Sequence, residues 1–326
     1  MKPVTCLRLV IAIILALGAL CPQLTLAQGT ARFFWKSLSG GYGIPLIVES
    51  MNGNTNPFDP SHTVVPGANF SATLAMVGFA HTFSLSGRAA SLAVIVPMGR
   101  ISGEVTAGGR TFTQQTGGYG DPMVEFDINI VGPRAQKSIP DAIRYEPGFS
   151  IDLLADLAVP IGEYDSSKAL NIGLNRWYGR VAMPILWQLG PWVPGRRTTL
   201  EFLPAVWFLG NNSDFMGQTL KTDPAFQLEG HLTRDFFERF WGSLDAVWYT
   251  GAKATINGVS GEKLNNFGVG LTLGFMINEN MGFRFAYKST INDRAPEDLR
   301  MDMFTVSLVV GWHPIIEGSR RLQGEN

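Results

Sequence analysis

Cysteine occurs at two positions, Cys6 and Cys21, in a chain of 326 residues. Both fall in a leader in which Lys2 and Arg8 precede or open an uncharged apolar stretch from Leu9 to Leu20. That stretch is too short to cross a hydrocarbon layer of about 30 Å as a helix, and it has the make-up of a secretory signal core. Thr25 and Ala27 mark a cleavage site that predicts a mature chain starting at Gln28. The mature chain then holds no thiol, which excludes a disulfide-stapled scaffold, cysteine-based zinc sites and thiol nucleophiles. A lipoprotein reading of Cys21 is set against Leu20, which stands where lipid attachment wants a small residue.

A basic excess is missing too. Without Lys2 and Arg8, 24 basic residues face 27 acidic ones, a formal charge of −3, so nucleic acid is not indicated as a partner. After the leader, no uncharged apolar run reaches the length of a membrane helix without a proline or glycine break. The four histidines, His62, His81, His231 and His313, have no metal-ligand spacing. Gly40-Gly41-Tyr42-Gly43 lacks the strand-to-helix context that phosphate binding needs. No metal or cofactor is implied.

What is present is alternation with a period of two, the signature of strands with one greasy face. Phe267, Val269, Leu271, Leu273 and Phe275 alternate with Gly268, Gly270, Thr272 and Gly274. Met281, Phe283, Phe285 and Tyr287 oppose Gly282, Arg284, Ala286 and Lys288, and Phe304 to Trp312 repeats the pattern. Earlier segments place charge on the second face: Glu125 and Asp127 between Val124, Phe126 and Ile128, Asp152 and Asp156 within 149–157, Glu229 and His231 beside Leu228 and Leu232.

A soluble sandwich alternates as well, so length and aromatic placement decide. The segments run about ten residues, enough for a tilted strand to cross a bilayer. Trp177 and Trp187 bracket one segment, Trp241 with Trp248 or Tyr249 lie near the ends of another, and Trp312 closes the last, which reads as interfacial girdles. About twelve strands are predicted, near 41–50, 68–81, 89–100, 119–131, 147–160, 177–187, 198–208, 223–234, 240–251, 265–276, 280–290 and 302–313. Long connections alternate with short turns such as 235–239 and 277–279; 132–146, with Pro133 and Pro140, is long where a short turn is expected and reads as a surface excursion. The fold class is all-β, an antiparallel up-and-down transmembrane β-barrel in the outer membrane. Closure follows because an open sheet edge in lipid leaves N–H and C=O groups unpaired.

Five stretches in order carry a family resemblance: Gly118-Tyr119-Gly120-Asp121-Pro122, Val159 to Asp165, Asn171 to Trp177, Gly230 to Phe236 and Ser243 to Tyr249. Together they resemble the outer-membrane barrels of the MetA-pathway of phenol degradation family. The resemblance implies a transporter-like barrel linked by name to uptake of aromatic compounds, and it supplies no catalytic residues. One departure is the 14 residues after Trp312, where such barrels commonly end on an aromatic residue read by the assembly machinery. The expected organisation is therefore a signal peptide at 1–27, a barrel at 28–313 and a periplasmic tail at 314–326, with outer-membrane lipid, the barrel assembly machinery and a small-molecule solute as partners.

With the apolar faces on lipid, Glu125, Asp127, Asp152, Asp156, Arg180, Glu201, Glu229, His231, Asp245, Arg284 and Lys288 are predicted to face the lumen. Their acidic excess favours cations or neutral solutes; alternatively Arg180, Arg284 and Lys288 pair with the acids and help fill the interior. Asn171, Asn175, Arg176 and Asp121-Pro122 in the long connections read as turn-formers or as recognition residues. The leading function is a channel passing small, aromatic or otherwise hydrophobic molecules by diffusion. A structural or adhesive barrel with a plugged pore is the alternative. A lipid-hydrolysing barrel built on His231, Thr233, Ser243 and Asp245 is a further one, set against their inward placement.

Overall fold

The computed structural model describes residues 31–107 and 110–322. The leader read in 1–27, with Cys6, Cys21 and the cleavage site, and the last four positions of the tail lie outside the described residues.

Alternating segments form a closed antiparallel wall. It begins with β1 (Tyr42–Gly53), β2 (Ala68–Leu85) and β3 (Arg88–Ala107). The fourth position is one strand broken in two, β4 (Arg110–Tyr119) and β5 (Met123–Val131), both paired with β3. β6 (Phe149–Ala158) follows, then a second broken strand, β7 (Tyr178–Ala182) and β8 (Ile185–Gln188), and β9 (Thr198–Leu209). After a small excursion of β10 (Asn212–Phe215) and β11 (Gln218–Thr222), the wall resumes with β12 (Ala225–Phe237) and β13 (Phe240–Gly251). β14 (Ala254–Ile256) and β15 (Val259–Ser260) make a second excursion before β16 (Leu264–Asn278), β17 (Met281–Thr290) and β18 (Met301–Trp312). β18 pairs with β1 from Tyr42↔Trp312 to Gly53↔Met301, which closes a ring of twelve positions and removes both sheet edges.

The breaks have local causes. Pro184 has no N–H to give the ladder, so β7 ends at Ala182, and the wall is kept continuous by Met183 N–H on the Pro204 carbonyl (3.0 Å) and Asp152 N–H on the Pro184 carbonyl (2.9 Å). Pro122 likewise separates β4 from β5.

The wall is inside-out relative to a soluble protein. Leu244, on the outer face, is 65 % exposed, whereas Glu229, on the inner face, is 1 % exposed. A band of exposed Phe, Leu and Val is stable against acyl chains and not against water, so the outer face is the lipid face. Trp177 and Trp187 are exposed on it, and Trp312 stacks with Tyr42 at 5.7 Å.

Two ends differ. The two-residue turns at 86–87, 238–239 and 279–280 lie at one end, with the long connections 54–67, 159–177, 210–224 and 252–263 at the other. β10, β11, β14 and β15 form a separate four-stranded sheet over that long-loop end. Connection 132–148 is not a free excursion. It carries the helix α1 (Ile139–Arg144), capped by Ser138, and buries Ala135 and Gln136. Ser39 N–H bonds to the Gln136 carbonyl (2.9 Å), and Ala142 packs on Leu38 and Ile316. Ile316 belongs to a second helix, α2 (Pro314–Leu322), formed by the tail. Connection, tail and residues 31–41 thus cover the short-turn end together.

Candidate functional site

Several wall strands spell their inner face in the same order. From the long-loop end inwards, β5 presents Met123, then Glu125 and Asp127; β6 presents Ala158, then Asp156 and Asp152; β7 presents Tyr178, then Arg180. β1 repeats it with Met51 before Glu49. Stacked side by side, these rows make two layers in the lumen, an apolar one near the long loops and a charged one beneath it.

In the charged layer the eleven side chains predicted to point inwards are all buried within the wall. Ten of them fall into three groups, with Arg284 apart. Arg180 donates through Nε to Asp156 (2.5 Å), lies 3.7 Å from Glu125 and has its guanidinium 4.9 Å from the Trp207 ring centroid. His231 Nδ1 meets Asp245 at 2.7 Å and its Nε2 lies 3.5 Å from Glu229, which Lys288 approaches to 3.7 Å. Arg284 sits 5.9 Å from the Trp241 ring.

The third group answers to cations that alternation could not find. Residues 31–41 turn at Gly40, whose φ of +104° suits glycine, and run inside the ring. Arg32 donates to Asp235 (2.5 Å) and to the Thr233 hydroxyl (3.0 Å), its own N–H bonds to Glu201 (2.9 Å), and Trp35 Nε1 bonds to Glu201 (2.8 Å). Lys36 donates to Asp127 (2.8 Å) and pairs with Asp152. Burial disfavours the lysine charge, but Asp127 and Asp152 outweigh it and hold this ammonium above the ordinary range. The acidic excess of the inner wall is therefore met by the chain's own N-terminal segment. Asp235 carries the period of His231 and Thr233 one step beyond the predicted strand end, and it also binds Arg197 (2.8 Å).

Two aromatic assignments change. Trp241 is 6 % exposed and Tyr249 is buried, both on the inner face with Ser243 and Asp245. An odd-numbered Trp on a strand whose odd positions carry Asp245 cannot reach lipid. Trp241 instead stacks beneath Arg32 at 4.5 Å, over Gly274, where a Cβ would collide with its ring. The acyl-transfer arrangement is likewise not assembled. Ser243 Oγ donates to Asp245 (2.6 Å), the same carboxylate that binds His231, so the hydroxyl is directed at the acid and not at the imidazole.

The apolar layer continues into the long loops. Loop 54–67 folds into the ring, with Phe58, Ser61 and His62 buried. Asp59 shapes it by accepting Ser61 N–H (2.9 Å) and tethers it to Arg176 (2.8 Å). Loop 159–177 folds over beside it. Asp121 accepts N–H groups from Gly162 (2.9 Å) and Leu174 (2.8 Å), Asn171 donates to the carbonyls of Asp165 and Lys168, and Arg176 reaches Thr222 (2.8 Å). The loop residues singled out by sequence thus build the mouth. Between these loops and the small sheet lies a vestibule of about 310 Å³, lined by Val65, Phe70, Leu170, Leu174, Phe215 and Leu220 among others. Behind loop 54–67 is a smaller chamber of about 50 Å³, bounded by Met51, Met123, Tyr178, Trp207, Met301 and Met303.

The family model described as "Putative MetA-pathway of phenol degradation" matches residues 53–302. Among solved structures, the COG4313 outer membrane channel from Pseudomonas putida F1 is similar with a TM-score of 0.69 and 14% identity, over 87% of this chain and 100% of that one; at this identity the likeness is one of fold. The KdgM porin in complex with disordered oligogalacturonate aligns with a TM-score of 0.46 and 8% identity, over 83% of this chain and 99% of that one, too distant to carry an argument. No curated protein matches the sequence.

Proposed function

The chain belongs to the MetA-pathway of phenol degradation family, and from that premise we propose that it is an outer-membrane channel admitting small, apolar molecules, aromatic ones among them, by passive diffusion. The observation that carries this reading is the pair of apolar cavities in line behind the long-loop mouth. A concave, largely apolar site with a few polar groups is what a small hydrophobic solute needs in order to leave water. A vestibule on the outside, where long loops face the surroundings in bacterial barrels, places that capture step before the lumen. The fold relative from Pseudomonas putida F1 is itself an outer membrane channel, which agrees with this reading.

The same geometry supports one rival. Residues 31–41 stand in the lumen below the cavities, held by Arg32 and Lys36, as a plugged structural barrel requires. Uptake separates the two. Cells carrying the gene are expected to take up dilute radiolabelled toluene faster than a deletion strain, whereas equal rates would leave the plugged barrel.

A further inference from the structure

Three polar side chains line the inner chamber, Glu49, Asp121 and His62; Asp121 accepts N–H groups from Gly162 and Leu174 and Glu49 accepts from the Thr305 hydroxyl, which leaves His62. His62, in loop 54–67, is 3 % exposed, and neither ring nitrogen has a hydrogen-bond partner among the described residues. Tyr249, on β13, packs its ring edge-on against that imidazole at 4.9 Å, and its buried hydroxyl is likewise without a partner among them. Buried polar atoms are nearly always paired, so two adjacent orphans call for a reason. His62 is held at φ +48°, a left-handed conformation uncommon for a non-glycine residue, by its own N–H on the Asp59 carbonyl (3.0 Å) and by the Asp59–Ser61 contacts. Asp59 is itself clamped by Arg176. The loop therefore spends structure on turning this one ring towards the chamber.

We propose that His62, on the lining of the inner chamber, and Tyr249, packed against it, form a hydrogen-bonding subsite for an apolar molecule bearing a single hydroxyl group. This rests on the channel reading above and specifies its second binding step. Burial lowers the His62 pKa to about 4, so at neutral pH the ring is uncharged and offers one N–H donor and one bare nitrogen acceptor. A solute hydroxyl needs one acceptor for its proton and one donor for its oxygen, which the imidazole and the tyrosine hydroxyl supply together. The rest of the molecule would lie against Met51, Met301 and Met303, with Trp207 behind. The chamber's 50 Å³ holds little more than water as it stands, but unbranched methionine side chains repack readily around different shapes.

The test compares two probes that differ by the hydroxyl, 2-phenylethanol and ethylbenzene, binding to the full chain in nanodiscs and corrected against empty nanodiscs. The wild type is expected to favour the alcohol by roughly tenfold after correction, the yield of one or two buried hydrogen bonds. Tyr249→Phe should cut that preference severalfold, and Tyr249→Phe with His62→Gly, in which glycine accepts the left-handed backbone, should abolish it while ethylbenzene still binds. Ethylbenzene bound with no preference for the alcohol, or a preference that survives the double variant, overturns the subsite and leaves the channel reading intact. Binding of neither probe also overturns the subsite, and toluene uptake then decides the channel reading separately. Tyr249→Phe alone carries the test should the double variant fail to fold.

Discussion

The two halves of the lumen are built by opposite means. In the inner half the wall supplies acids, and a non-wall segment supplies Arg32 and Lys36 to neutralise them. In the outer half the wall supplies methionine and aromatic residues, and the loops add Phe58, Leu170, Ile172 and Leu174, so like meets like and open volume is left between them. Charges in a low-dielectric interior must be met by opposite charge, which draws the chain into contact and closes the space. Apolar surfaces have no such requirement of pairing, so they can bound a cavity. One ring of strands thereby carries a charge-packed end and a receptive end.

Undoing the charged packing should have the largest effect. With Arg32→Ala and Lys36→Ala together, residues 31–41 lose Asp235, Asp127 and Asp152 as anchors, while Asp127 and Asp152 lose their shared cation and repel each other and Asp235 keeps only Arg197. The segment should leave the lumen, and planar-bilayer recordings should change from little or no current in the wild type to sustained, cation-preferring conductance. An unchanged current would mean that the segment is held by its apolar contacts, such as Phe33 in the core against Phe70 and Ala93, and that the contrast between the halves is overstated.

Next in size is Arg180→Ala, which leaves Asp156 and Glu125 facing each other in a fully buried place. Removing one partner of such a pair costs about 3–5 kcal/mol, read as a lower urea midpoint for unfolding in lipid. Met301→Leu, in the outer half, conserves volume and should cost less than about 1.5 kcal/mol. Equal losses would show that the apolar layer is packed as tightly as the charged one.

What was legible beforehand follows the same division. A period of two is imposed by the pleat on every wall strand, so the ring, its twelve positions and the inward direction of Glu125, Glu229 or Lys288 could be read directly. The same period, applied strictly, would have turned Trp241 and Tyr249 inwards with Asp245 and carried β12 on to Asp235. Aromatic character at strand ends suggested a girdle instead. Glu49 was equally readable, two residues before Met51 on the inner face of β1. The contents of the ring were not readable, because residues 31–41, 54–67 and 159–177 have no repeat. Their places are set by single long-range contacts such as Arg32 with Asp235 or Asp59 with Arg176. Gly40-Gly41 marked a reversal of the chain without saying on which side of the wall it would run.

The smallest effect expected is also the most local. His62 has its pKa lowered by burial to about 4, against 6.5 when free. Between those values the unfolded or displaced loop binds a proton that the seated loop does not, so the seated state is favoured fully above pH 6.5 and loses stability progressively as pH falls towards 4. β12 and β13 are hydrogen-bonded to each other along their length and to β9 and β16 on either side, and they should not respond in step. Amide hydrogen exchange at 54–67 should therefore accelerate as pH is lowered from 7 to 4.5, beyond the intrinsic pH dependence of exchange, while β12 and β13 stay protected. In His62→Gly the excess should vanish, since no group that titrates in this window is left at that position. If exchange in the loop follows pH identically in wild type and variant, the loop is not seated by a neutral imidazole, and the outer half owes its shape to Asp59 and Arg176 alone.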